Sequence, residues 1–115
     1  MNIQVYCVKK NFDVQKAERF FKERRIAYQL VDMKKHAPGR REIELFARAA
    51  GGLQQLLNKQ SPAVLSHPVA YTDDTDTIIS YLIEHPEFMR TPIVRNGQKA
   101  TVGADEQVWN RWLQA

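Results

Sequence analysis

Cysteine is nearly absent. The chain has 115 residues and one thiol, Cys7. A single cysteine closes no internal disulfide, which excludes a disulfide framework and any multi-cysteine zinc site. Long apolar runs are missing too, since nothing approaches the roughly 20 residues that span a bilayer. Met1 to Val8 lacks the charged and apolar regions of a secretory leader, so the expected compartment is the cytoplasm, with no membrane partner. The three histidines, His36, His67 and His85, have no metal-ligand spacing with Cys7 or each other, and no metal is expected. No aromatic residues interleave with the basic clusters as a nucleic-acid stacking platform requires.

What is present is ordinary globular composition. Hydrophobic residues make up 43% and charged residues 26%, which excludes global disorder, collagen and coiled coil. The length predicts one domain over residues 1–115, able to bury about two-thirds of its unfolded surface. Seventeen Lys and Arg against 13 Asp and Glu give 17 − 13 = +4. Lys9–Lys10, Lys22 to Arg25, Lys34–Lys35 and Arg40–Arg41 carry much of that charge. They read as solvated helix ends and loops rather than a nucleic-acid surface.

The periodicities order the elements. Asn2 to Tyr6 is a short β-favouring stretch. Val14, Ala17, Phe20 and Phe21 form the apolar stripe of a helix over about Val14 to Arg25, with Asp13 as N-cap. Ala27 to Val31 reads as a second strand, completing a βαβ unit with a right-handed crossover. Pro38–Gly39 opens a helix with Ile43, Phe46, Ala47 and Ala50 on one face, which Gly51–Gly52 ends as a left-handed cap. Leu53, Leu56 and Leu57 suggest one more helical turn, and Asn58 to Tyr71 is irregular. A third helix runs from about Asp74 to Glu84, with Ile78, Ile79, Leu82 and Ile83 buried, and stops at His85–Pro86. Pro92 to Arg95 and Lys99 to Val102 flank Asn96–Gly97, a strong hairpin signal. A last helix, about Asp105 to Leu113, has Val108, Trp109, Trp112 and Leu113 on its apolar side. The sum is an α/β mixed sheet with helices on both faces. That is a thioredoxin-like core over about 1–35 and 86–115, with a helical insert over about 36–85.

Four stretches in this order resemble the ArsC/Spx family of arsenate reductase-like proteins. They are Tyr6-Cys7-Val8-Lys9-Lys10-Asn11, Gly52 to Asn58, Ile83-Glu84-His85-Pro86 through Arg90-Thr91-Pro92-Ile93-Val94, and Val102 to Glu106. The resemblance implies a catalytic cysteine at the mouth of the first helix, where helix dipole and backbone N–H groups stabilise a thiolate. Counting five residues on from Tyr6 reaches Asn11, which is no nucleophile. The arginine that follows the cysteine falls at Gln15, and the second cysteine of Spx regulators at Val14. The oxyanion arginines fall at Gln54, Thr91 and Val102. Without a thiolate and fixed guanidiniums, arsenate reduction by the family mechanism is not expected. Arg90 lies one residue from an arginine position, and reads as a surface arginine.

Cys7 lies four residues before Asn11, a span of at most about 13–14 Å in extended chain. Its parity with Ile3 and Val5 makes it a small buried hydrophobe. The other open reading is a partly exposed thiol beside Lys9–Lys10, with lowered pKa. Asn11 reads as a helix cap or a ligand contact. Thr91-Pro92-Ile93-Val94 with Gly103 and Asp105 also resembles the glutaredoxin pattern, which implies a cis Thr91–Pro92 bond and a glutathione-binding groove. The expected groove lies between the Lys9 to Asp13 loop, Gln54 in the insert and Thr91–Pro92, and is lined by Lys10, Asn11, Gln54, Thr91, Pro92 and Asp105. No cofactor is required, and glutathione is the candidate ligand. Three functions follow: a binding or regulatory ArsC/Spx-like protein without the family cysteine; a glutathione-dependent thiol oxidoreductase using Cys7 as its catalytic residue; or, by analogy with Spx, a regulator binding the RNA polymerase α subunit.

Overall fold

The computed structural model describes residues 1–114. The elements run β1 (Ile3–Cys7), α1 (Phe12–Glu23), β2 (Tyr28–Asp32), α2 (Arg40–Ala50), α3 (Leu53–Leu56), α4 (Pro62–Leu65), α5 (Thr75–Glu84), β3 (Ile93–Asn96), β4 (Lys99–Val102) and α6 (Glu106–Gln114). The four strands form one mixed sheet in the order β2-β1-β3-β4. β1 and β2 pair in parallel, Val5 opposite Leu30, whereas β3 pairs antiparallel with both β1 and β4. The β-α-β, helical insert, β-β-α order is the one the sequence predicts.

The alternation of strand side chains divides the interior in two. Ile3 and Val5 of β1 and Val94 of β3 face α1 and α6, where they meet Ala17, Phe20, Phe21, Trp109 and Trp112. Tyr6 and Ile93 face the insert, with Ile43, Phe46, Leu56, Val64, Val69, Ile79 and Leu82. The stripes expected of α1 and α6 are where the sequence puts them. In α5, Ile78, Ile79 and Leu82 are buried, but Ile83 is 40% exposed. The helix turns that side chain away from the insert core, toward a surface hollow with Met33, Lys34 and Glu87.

Several boundaries differ from the sequence reading for identifiable reasons. α1 starts at Phe12 because Asn11, not Asp13, is its cap: Asn11 is extended (φ −125°, ψ −177°) and its Oδ1 accepts from Val14 N at 2.8 Å. Asp13 sits in the first turn, where the helix dipole favours a carboxylate. α1 stops at Glu23, and Arg25 is left-handed at φ 57°. The irregular stretch after α3 contains α4 and a single 3-10 turn, Pro68–Ala70. Gly51 does end α2 in the left-handed region, φ 95°. The hairpin pairs Asn96 with Lys99, so its tip is Gly97–Gln98 rather than Asn96–Gly97. Gly97 has φ 63° and Gln98 does not share that sign, which fits a turn needing a positive φ only at its first central residue.

Candidate functional site

The carboxyl end of β1, the amino end of α1 and the segment before β3 converge on one groove. α1 begins where it does because Asn11 replaces the lost backbone partners of its first turn, as N-caps do. The same side chain turns its Nδ2 toward Thr91, 3.4 Å from Oγ1 and 3.5 Å from the carbonyl oxygen. The Thr91–Pro92 bond is cis, as expected. Pro92 is buried, and its carbonyl accepts from Gly103 N at 2.8 Å, which ties the start of β3 to the end of β4. The groove itself, about 400 Å³, is lined by Val8, Lys9, Lys10, Asn11, Lys34, Asn58, Glu87, Met89 and Thr91. A shallower continuation runs past Lys10 and Asn11 to Phe12 and Gln15. Phe12 is 88% exposed there.

The groove is electropositive in a specific way. Lys10 is drawn to Glu18 at 3.2 Å, and Glu87 lies 3.2 Å from His85 Nδ1. Lys9 and Lys34 have no carboxylate within ion-pair distance among the described residues, so their charge faces any ligand.

The six residues expected to line the groove separate into two groups. Lys10, Asn11 and Thr91 line it, with Pro92 buried directly behind Thr91. Gln54 and Asp105 do not. Gln54 donates through Nε2 to the carbonyls of Val69 (3.2 Å) and Thr72 (3.1 Å), closing the insert on itself, while its Oε1 is buried without a partner. Asp105 accepts from Val108 N at 3.2 Å, and so serves the first turn of α6. Arg90 is more than a surface arginine. Nη1 donates to the Gln55 carbonyl at 3.1 Å and Nη2 reaches the Val102 carbonyl at 3.5 Å. The guanidinium thereby spans insert and sheet, and its close approach leaves 3.4 Å for a Cβ at Gly103.

Cys7 is 5% exposed at the end of β1, beside Asp32 in the parallel register. Burial pushes its thiol pKa up, and the carboxylates of Asp32 and Glu18 push it further; Lys10 opposes them and loses. The basic neighbours therefore do not create a low-pKa thiol. The partly exposed, activated thiol left open by the sequence is not the state of this side chain.

Five lining residues were not read from the sequence: Val8, Lys34, Asn58, Glu87 and Met89. Asn58, Glu87 and Met89 come from the insert and its return. They meet because Asn58 N donates to the Phe88 carbonyl at 2.8 Å and Leu57 bridges to Met89. No local pattern carries that pairing.

The same architecture occurs in known proteins. An arsenate reductase from Vibrio cholerae superposes with a TM-score of 0.82 at 18% identity, covering 96% of this chain and 97% of its own. An ArsC-related protein from Brucella melitensis gives 0.70 at 20% identity, covering 100% and 97%. SACOL0876 from Staphylococcus aureus gives 0.77 at 21%, covering 95% and 96%. At these identities the likeness is one of fold. No curated protein sequence matches the chain significantly. The ArsC family profile matches residues 6–112, nearly the whole chain and all the elements that build the groove, and the protein belongs to the ArsC family.

Proposed function

We propose that this chain is a ligand-binding member of the ArsC family that does not use thiol catalysis, and that its groove takes an anionic, peptide-like ligand of the glutathione class. One observation carries the reading. The helix-mouth position holds Asn11, whose side chain is committed to capping α1 and to Thr91, while the one thiol is buried with a raised pKa. An amide is not a nucleophile, and a protonated thiol in the sheet does not attack a substrate in the groove. What the groove offers instead is binding chemistry. Lys9 and Lys34 offer their charge to a ligand carboxylate, the Thr91 backbone can meet a peptide amide, and Val8 and Met89 supply apolar contact.

Glutathione titrated into labelled protein, followed by amide NMR, tests this directly. The expected result is saturable shifts at Lys9, Asn11 and Thr91 that persist in Cys7→Ser, with no arsenate turnover under glutathione. Arsenate reduction by the native chain, abolished by Cys7→Ser, would overturn the reading, as would the absence of saturable shifts.

A further inference from the structure

A second cavity, about 450 Å³, lies between α2 and the β3–β4 hairpin. It is lined by Arg41, Glu42, Glu44, Leu45, Arg48, Arg95 and Gln98, and shares no residue with the groove beside Asn11. Arg41, Leu45 and Arg48 fall at i, i+4 and i+7 of α2, so they occupy one face. Leu45 is 6% exposed and forms an apolar floor, with the two arginines standing at either end. Their Cα atoms are separated by seven helical rises, about 10.5 Å, which two arginine side chains can close on one ligand.

The charges in this cavity are not mutually cancelled. Glu42 is fully occupied: Oε1 accepts from Gly39 N at 3.1 Å, and Oε2 accepts from Tyr6 Oη at 3.2 Å and lies 3.6 Å from Arg95 Nη1. Glu44 is paired with Arg40 at 3.8 Å, and Arg40 also meets Asp76 at 2.6 Å. Arg95 is further fixed by its Nε bond to the Gly97 carbonyl at 2.8 Å. Once these pairs are made, Arg41 and Arg48 remain with no carboxylate within ion-pair distance among the described residues.

The position of Arg41 points the same way. It stands in the first turn of α2, where the helix dipole disfavours a cation and favours an anion. Glu42 already supplies the carboxylate that this helix end favours, so the guanidinium of Arg41 is left without a partner among the described residues and offers its donors to the cavity, as Arg48 does from the last turn. Arginine presents its N–H donors in a planar fork that matches phosphate oxygens two at a time. Gln98, at the hairpin tip, adds an amide donor on the opposite wall.

We propose that the cavity between α2 and the β3–β4 hairpin binds a phosphate-bearing anion, a phosphate monoester or diphosphate, through Arg41 and Arg48. The ligand's charged end lies between the two guanidiniums and its organic part rests on Leu45. Glu42 and Glu44, each held by its own arginine, set the limit on how much negative charge the site accepts.

The test is amide and arginine side-chain NMR during titration with inorganic phosphate and with pyrophosphate, at constant ionic strength. Saturable shifts are expected at Arg41, Leu45, Arg48 and Gln98, with pyrophosphate the tighter. The Arg41→Gln/Arg48→Gln double variant should weaken binding about tenfold or more, while Lys9→Gln/Lys10→Gln leaves it unchanged. Shifts that never saturate and scatter over all basic residues would overturn the proposal. So would shifts centred on Lys9, Lys10 and Lys34, or unchanged affinity in the double arginine variant. If that variant does not fold, the wild-type shift map decides alone.

Discussion

The two faces of the sheet are built by different means. On the α1–α6 face, Phe20, Phe21 and Trp109 pack edge-on or tilted, with ring centroids 5.0–5.5 Å apart. A single buried bond, Trp109 Nε1 to Thr101 Oγ1 at 2.9 Å, satisfies the indole and fastens α6 to β4. On the insert face the core is mostly aliphatic, with Tyr6 against Phe46 at 5.0 Å. That face is assembled from four helices, two of them only four residues long, joined by loops that polar side chains hook together. Gln54 gathers the Val69 and Thr72 carbonyls, and Arg90 joins the Gln55 and Val102 carbonyls. Apolar periodicity suffices where α1 and α6 lie directly on the sheet. Where the chain makes several tight turns, carbonyls without helix or strand partners are taken up by named donors, and those on Gln54 are half-buried, where an unpaired one costs up to about 1–3 kcal/mol. The groove lies where the two constructions meet.

If the aromatic face dominates stability, its central ring should matter most. Trp109→Ala removes a fully buried indole and strands Thr101, and should cost about 3–5 kcal/mol. Denaturant unfolding measures this, and a loss under about 1.5 kcal/mol would show that the face repacks. Gln54→Ala should cost less, about 1–3 kcal/mol, because it leaves two carbonyls without their donor. Its effect should also be local. Hydrogen exchange should quicken in the insert while α1 and α6 keep their protection. Uniform loss of protection across both faces would mean that the two constructions unfold as one unit, and the distinction would fail. Asn11→Ala should cost about 1 kcal/mol, the usual value of a cap. Asn11→Asp keeps an acceptor for Val14 N but removes the donor to Thr91, so it should preserve stability while loosening the groove.

The same division explains what could be read in the sequence. Val14, Ala17, Phe20 and Phe21 announce α1 because a helix with one buried side repeats near 3.6, and Trp109 and Trp112 announce α6 for the same reason. The stretch Arg90-Thr91-Pro92, with its cis bond, was legible through family resemblance rather than through periodicity. Gln54 and Asp105 were misplaced because a residue's position in a family pattern does not say which way its amide or carboxylate turns. Gln54 spends its donors on carbonyls 15 and 18 residues away. Lys34, Asn58 and Glu87 were missed because they reach the groove through tertiary pairing of loops, and no local spacing encodes that. Asp13 and Asn11 both read as caps in the sequence, since both are good capping residues and only backbone dihedrals separate them.

The smallest expected effect concerns pH, and it sets one tyrosine from each face against the other. Tyr28 Oη donates to Glu18 Oε1 at 2.9 Å, joining β2 to α1. Burial, then the bond and charge of Glu18, push the phenol up from 10.0 to about 12. Tyr6, on the insert side, is also raised, first by burial, although the nearby Arg95 guanidinium pulls it back. A phenol with a raised pKa keeps its proton in the folded chain at a pH where the unfolded chain has lost it. Its stabilisation is therefore complete below about pH 10 and is lost as pH rises toward 12. Glu18 has the opposite sense: burial raises its carboxyl, but the bonds from Tyr28 and Lys10 outweigh it and lower the pKa, so that contribution fades as pH falls through the carboxylate range. Melting temperatures of Tyr28→Phe and Tyr6→Phe, measured from pH 7 to 11.5, separate the two faces. Tyr28→Phe should flatten the alkaline decline more than Tyr6→Phe, and should also blunt the acid decline that runs through Glu18. A Tyr28→Phe curve parallel to wild type above pH 10 would place the alkaline sensitivity elsewhere. Cys7→Ser, which removes the other group raised by burial on the α1 side, would then be the variant to decide whether that face titrates at all.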